Sequence, residues 1–172
     1  MKQEIKTWAL KSTIHTKKPD SKSISLEFWK SFVDETGTSL PIKKDDFKFE
    51  VTYINYEGEK IRQVVKNEAS GTDKKAKVSF TREGISEPGP YTFEISEIKP
   101  SSVYIKPVNT NITATVVVGR ENDELVVGQP VYTRTQVTKD EKGADRVVTD
   151  NQNEFKNILE TPEPVTIRPI LK

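Results

Sequence analysis

The chain has 172 residues, with 27 Lys+Arg against 26 Asp+Glu, 33% hydrophobic and 31% charged residues, 10 Pro, 8 Gly, one His and no Cys. A formal charge of +1 gives no global electrostatic case for nucleic acid or an anionic membrane surface, and the lack of Cys excludes disulfides, thiol nucleophiles and thiolate metal sites. His15 alone does not support a multi-His metal site or a His-based triad, no apolar run approaches the roughly 18–20 residues of a membrane helix, and the basic start lacks the apolar stretch of a secretory signal.

Residues 1–21 read as an N-terminal strand or linker: Trp8, Leu10 and Ile14 share a parity, and Lys17-Lys18-Pro19-Asp20 then interrupts it. From there short alternating segments follow one another, broken by turn residues, as in a β-sandwich. Ile24 to Trp29, Phe47 to Tyr53 and Tyr91 to Ile95 alternate cleanly, and Ile61 to Val65, Lys77 to Phe80, Ile112 to Val118, Leu125 to Val137 and the segment from Glu154 onward supply further predicted strands. Between them Tyr56-Glu57-Gly58-Glu59, Ala69 to Asp73, Glu87-Pro88-Gly89-Pro90 and Lys142 to Asp145 carry turn chemistry: Gly for positive φ, Pro for fixed φ, Asx for local hydrogen bonds. No segment shows a sustained helical period. The compact domain is expected at 22–160, and residues 161–172, with Pro162, Pro164 and Pro169, suit an edge strand or an extended linker.

Successive side chains of a strand alternate faces, so extending each apolar parity shows which polar residues fall on the core side. Ile24, Leu26 and Phe28 lead to Lys30; Tyr91, Phe93 and Ile95 lead to Glu97; Phe155 leads to Asn157. Lys and Glu are almost never buried without partners. Two ordinary readings apply: strand ends reaching solvent, or a structural ion pair with an added hydrogen bond. The chemical reading is more specific. A desolvated Lys presents a neutral amine, a carboxyl in an apolar pocket tends to hold its proton, and a carboxamide beside them offers an electrophilic carbon. Lys30 would attack the Asn157 side-chain carbon, Glu97 would act as general acid and base, and ammonia would leave once per molecule.

The motifs around these residues resemble the streptococcal major-pilin type of isopeptide-linkage domain found in Gram-positive surface proteins. The resemblance rests on Ile24-Ser25-Leu26-Glu27-Phe28-Trp29-Lys30, Phe47-Lys48-Phe49-Glu50-Val51, Val78-Ser79-Phe80, the run from Glu87-Pro88-Gly89-Pro90-Tyr91 to Ser96-Glu97, Ile112 to Val118, and Asn153-Glu154-Phe155-Lys156-Asn157. It covers residues 22–160. Ser101 to Pro107 departs from the family's pattern, and the stretch from Val118 to Phe155 is long and polar. Membership would imply an immunoglobulin-like β-sandwich in which Lys30, ending the first strand, is joined to Asn157 in the last, helped by Glu97 in the strand after the Pro-Gly turn. It would further imply a structural stalk module rather than an enzyme, without cofactor or metal. Its place would be on the surface or cell wall of a Gram-positive bacterium, and its partners neighbouring modules or subunits and a possible host ligand, with no role for nucleic acid or membrane. A rival reading makes the sandwich an adhesin domain whose 119–124 or 138–152 loops bind a host protein or glycan. Lys106-Pro107 reads as a plain turn, and the acids scattered through the loops as solvated residues rather than a calcium site.

Overall fold

In a computed structural model of the chain, residues 21–161 are described, Val108 excepted. The expected strand or linker before residue 21 and the proline-rich segment from 162 onward therefore lie outside the described residues. The described chain is all-β, with 62% strand and no helix, and its sheets pack in a sandwich-like arrangement. Its strands are β1 (Lys22–Asp34), β2 (Lys48–Ile54), β3 (Lys60–Lys66), β4 (Lys75–Ile85), β5 (Gly89–Glu97), β6 (Thr110–Glu121), β7 (Glu124–Val127), β8 (Val131–Lys139), β9 (Asp145–Asp150) and β10 (Glu154–Leu159). One sheet has the order β10-β1-β4; the other runs β3-β2-β5-β6-β8-β9, with β7 also paired to β6.

Alternation builds both inner faces. Ile24, Leu26 and Phe28 of β1, with Val78 and Phe80 of β4, face Phe49 and Val51 of β2, Phe93 and Ile95 of β5 and Ile112, Ala114 and Val116 of β6, all of them 3% exposed or less. Aromatic rings meet edge-on in the core: Phe28 packs on Phe49 of the other sheet at 5.2 Å and on Phe155 of its own sheet at 5.8 Å between centroids. Each such contact adds about 0.5–1.5 kcal/mol beyond the area it buries.

β1 and β10 form the parallel pair that positions the site. Lys30 stands opposite Phe155 and Phe32 opposite Asn157. Because the two strands run the same way, the chain enters β1 at one end of the sandwich and leaves β10 at the other. Around β1 the antiparallel partner is β4, with Leu26 opposite Phe80 and Lys30 opposite Ala76.

Two segments differ from the sequence expectation. Leu125 to Val137 is not one strand: β7 and β8 are separated at Gly128-Gln129-Pro130. Gly128 donates its N–H to the Val117 carbonyl at 2.9 Å, and a Cβ on it would sit 2.8 Å from that oxygen, so the pairing along β6 shifts register at a residue that only Gly fits. The stretch 138–152, expected as a loop, contains β9, which pairs with β8 from Arg134↔Asp150 to Lys139↔Asp145. β9 is the edge strand of the larger sheet, and most residues of the hairpin are exposed.

Candidate functional site

Lys30, Glu97 and Asn157 all point inward. Lys30 and Asn157 are fully buried, and the Glu97 side chain is 1% exposed. Lys30 Nζ lies 2.5 Å from Glu97 Oε1. The two residues come from opposite sheets and reach across the interior: Glu97 stands opposite Phe49 on β2, and Lys30 is delivered by the unbroken inward parity of β1. Asn157 sits two residues along β10 from the partner of Lys30, on the same face of the same strand pair. Strand spacings of about 4.8 Å and a rise of about 3.3 Å per residue place the two Cα atoms about 8 Å apart, within the combined reach of a lysine and an asparagine side chain.

The electrostatics of the cluster are unusual. Nζ and both carboxylate oxygens are buried without an aligned hydrogen bond, the contact at 2.5 Å being a close ion pair, and Asn157 Oδ1 is likewise without a partner. Among the described residues these are the buried side-chain polar atoms left unsatisfied. Such atoms each cost on the order of 1–3 kcal/mol, and native interiors normally avoid them. Burial lowers the Lys30 pKa from 10.5 to about 8; the adjacent Glu97 charge, its contact with the amine and the more distant Glu154 oppose that shift without cancelling it. The amine is therefore far closer to its neutral, nucleophilic form at ordinary pH than a solvent lysine.

Residues that sequence reasoning did not place complete the site. The Phe47 ring stands 4.6 Å from Lys30 Nζ. Its backbone N–H donates to Asn67 Oδ1 at 2.7 Å, while Asn67 Nδ2 donates to the carbonyls of Lys43 at 2.9 Å and Glu68 at 2.7 Å. Asn67 is fully buried and so fixes the wall against which the amine rests. On the other side, Asn157 Nδ2 donates to the Lys106 carbonyl at 3.0 Å. That bond orients the carboxamide: its nitrogen is held by the segment leading to β6, which leaves Oδ1 as the free acceptor. The segment is itself pinned to β10, since Lys106 N–H donates to the Ile158 carbonyl at 3.0 Å and Glu160 N–H to that of Tyr104 at 2.7 Å. Lys106, read from sequence as a turn lysine, has its ammonium on the exposed Glu160 at 3.0 Å and contributes its carbonyl to the site.

The Asp34 turn lies at the end where β1 finishes. Asp34 Oδ1 accepts from the Thr36 and Thr38 backbone N–H groups, each at 2.9 Å, and these bonds with that from the Thr36 hydroxyl hold its carboxyl below the usual range. Glu35 accepts the Thr161 N–H at 2.8 Å, tying the departing chain to the same turn.

Protein-family models give no match to this chain, and curated proteins give none either.

Proposed function

We propose that the protein is a structural module of a Gram-positive cell-surface pilus or adhesin stalk, an immunoglobulin-like sandwich stapled by an amide between Lys30 and Asn157 that Glu97 promotes. The observation that carries this reading is the juxtaposition of a buried amine, a carboxylate 2.5 Å from it and a carboxamide oxygen without a partner, all on adjoining inner faces. The pilin resemblance points to the same three residues.

The chemistry balances within the site. Lys30 passes a proton to Glu97 across their contact, leaving an amine and a carboxylic acid. The acid donates to Asn157 Oδ1 and polarises the carbonyl, and Nζ attacks Cγ. The Nζ–Cγ bond forms, Glu97 gives its proton to Nδ2 and takes one from Nζ, and the Cγ–Nδ2 bond breaks as ammonia leaves. Folding supplies most of the rate, because all three groups are fixed in a dry interior. Glu97 ends ready to hydrogen-bond the new amide, so the four orphaned atoms gain partners or are consumed.

The parallel pairing of β1 and β10 supports a mechanical role. With β1 and β10 parallel, tension enters at the start of β1 and leaves at the end of β10. An amide between those strands carries that load past the rest of the sandwich. It also closes a loop of about 127 residues, which by the loop-entropy relation used for disulfides removes about 5 kcal/mol of freedom from the unfolded chain.

Intact mass tests the reading. The protein is expected to be lighter than its sequence mass by one ammonia, and Lys30→Ala, Asn157→Ala and Glu97→Ala are each expected to restore the full mass. Full sequence mass in the unaltered protein would remove the crosslink.

A further inference from the structure

At the end of the sandwich where β1 begins, a cavity of about 460 Å³ is lined by Ile54, Tyr56, Arg82, Pro88, Pro90 and Tyr91 among others. Arg82 is only 8% exposed, and its guanidinium lies over three rings, 4.4 Å from the Tyr53 centroid, 5.3 Å from Tyr56 and 5.2 Å from Tyr91. None of its nitrogens is among the buried unsatisfied atoms, so its N–H groups are open to the cavity. Among the described residues no carboxylate and no hydrogen-bond acceptor meets its N–H fork. The acid on the rim, Glu87, is exposed and makes no ion pair with it.

The tyrosine hydroxyls, by contrast, are fully engaged. Tyr91 donates to the Glu87 carbonyl, and Tyr56 and Tyr91 share a contact of 2.6 Å. Tyr56 accepts from the Ser86 and Glu87 N–H groups at 3.0 and 3.2 Å. The tyrosines therefore fix the walls and hold the cation in place, and Arg82 is the lining group with donors to spare. The planar fork of a guanidinium matches one carboxylate bidentately. A single cation suits a singly charged group better than a phosphate.

We propose that this cavity binds the carboxylate side chain of an acidic polypeptide segment, with Arg82 as counter-ion. Two observations favour a polypeptide occupant. Ile54, Pro88 and Pro90 present flat apolar surface beside the cation, suited to the residues flanking an acidic side chain. Arg82 stands opposite Ile24 and Ile85 opposite Lys22, so the site adjoins the end at which the chain enters the sandwich. An extended segment passing this end would run across the cavity.

The test uses the full chain, isotope-labelled and titrated by NMR with a capped Pro-Glu-Pro peptide, its Pro-Gln-Pro counterpart and sodium acetate. The Glu peptide is expected to move the Arg82 Nε–H and the Tyr56 and Tyr91 ring signals, and the Gln peptide to bind about tenfold more weakly or worse. Arg82→Lys, which keeps the charge but not the fork, is expected to lose most of the difference between the two peptides. Should that variant not fold, the titration of the unaltered protein still decides. Equal binding of the two peptides, or no movement at Arg82 with the Glu peptide, would overturn the proposal; acetate moving Arg82 while the Glu peptide does not would overturn the polypeptide occupant.

Discussion

Lys30 of β1 and Glu97 of β5 belong to opposite sheets, yet their charged ends lie 2.5 Å apart in the interior. The contact fixes the stacking of the two layers at that level, because a shift of one strand by a residue would turn one partner outward and leave the other charge buried alone. Such a pair is not in itself stabilising. Taking both ions out of water costs several kcal/mol each, and their attraction returns that only with good geometry and further hydrogen bonds. Here the further hydrogen bonds are missing.

The first prediction separates the pair from the crosslink. In an Asn157→Ala background, where no amide can form, Lys30→Met alone is expected to cost about 3–5 kcal/mol, because it strands the Glu97 carboxylate in an apolar interior. Adding Glu97→Leu is expected to recover most of that loss. Urea midpoints of the three proteins check this, and a double variant as unstable as the single one would count against a buried pair.

The second prediction concerns pH in that same unlinked protein. Lys30 titrates at about 8 when folded, against the ordinary lysine value of 10.5, because burial disfavours the ammonium more than Glu97 favours it. At pH values below about 8 both folded and unfolded chains carry the proton, and the penalty of the buried charge is fully present. Between about 8 and about 10.5 the unfolded chain still holds a proton that the folded chain has released, so stability rises with pH. The difference between the two values is worth about 3 kcal/mol. Urea midpoints between roughly pH 7 and 9.5 are expected to climb in Asn157→Ala and to stay flatter once Lys30→Met is added. The range stops there because Tyr91, held up to about 12 chiefly by burial, contributes in the opposite direction once unfolded tyrosines ionise. A midpoint that falls across this window would contradict the assigned shift.

Much of this architecture was legible where one strand face is dry and the other wet. β1, β2 and β5 alternate because each has one face in the core, and the same parity exposed Lys30 and Glu97 as residues on the wrong side. Asn157 followed from Phe155 in the same way. β9 left no such trace: Asp145 to Asp150 is largely exposed on both faces, so nothing selects an alternating pattern. The break between β7 and β8 depends on how closely Gly128 approaches the Val117 carbonyl, a contact across eleven positions of chain that periodicity does not encode. Phe47, Asn67 and Lys106 were missed for a related reason. Asn67 reads as an ordinary polar residue after a strand, and Lys106 acts through its backbone carbonyl, which any side chain would provide.

The third prediction concerns Asn67. Its side chain satisfies the Phe47 N–H and the Lys43 and Glu68 carbonyls. Asn67→Ala is expected to cost about 2–4 kcal/mol by leaving buried backbone groups unpaired, and to slow formation of the amide by loosening the Phe47 wall beside Nζ. Asn67→Asp keeps the acceptor for Phe47 but sets a carboxylate against two carbonyls, so it is not expected to rescue stability. Thermal melts give the first effect, and mass spectra of freshly synthesised protein sampled over time give the second. Unchanged crosslinking in a clearly destabilised Asn67→Ala would show that the wall is structural only.

The fourth prediction tests the mechanical role directly. If Lys30 and Asn157 are joined, tension applied at the start of β1 and the end of β10 bypasses everything between those two residues. Pulling the unaltered protein is then expected to release only the short segments outside the staple. In Asn157→Ala the parallel β1–β10 pair must instead shear, and the freed segment of about 127 residues, at about 3.6 Å each, adds roughly 450 Å of contour length. Glu97→Ala is expected to match it, since the groups that would react remain but their proton carrier is gone. The same two variants are expected to melt lower and to be cut faster by trypsin than the unaltered protein, because proteases act on opened states that the staple makes rare. A long extension step in the unaltered protein would show that its first and last strands are held by hydrogen bonds alone.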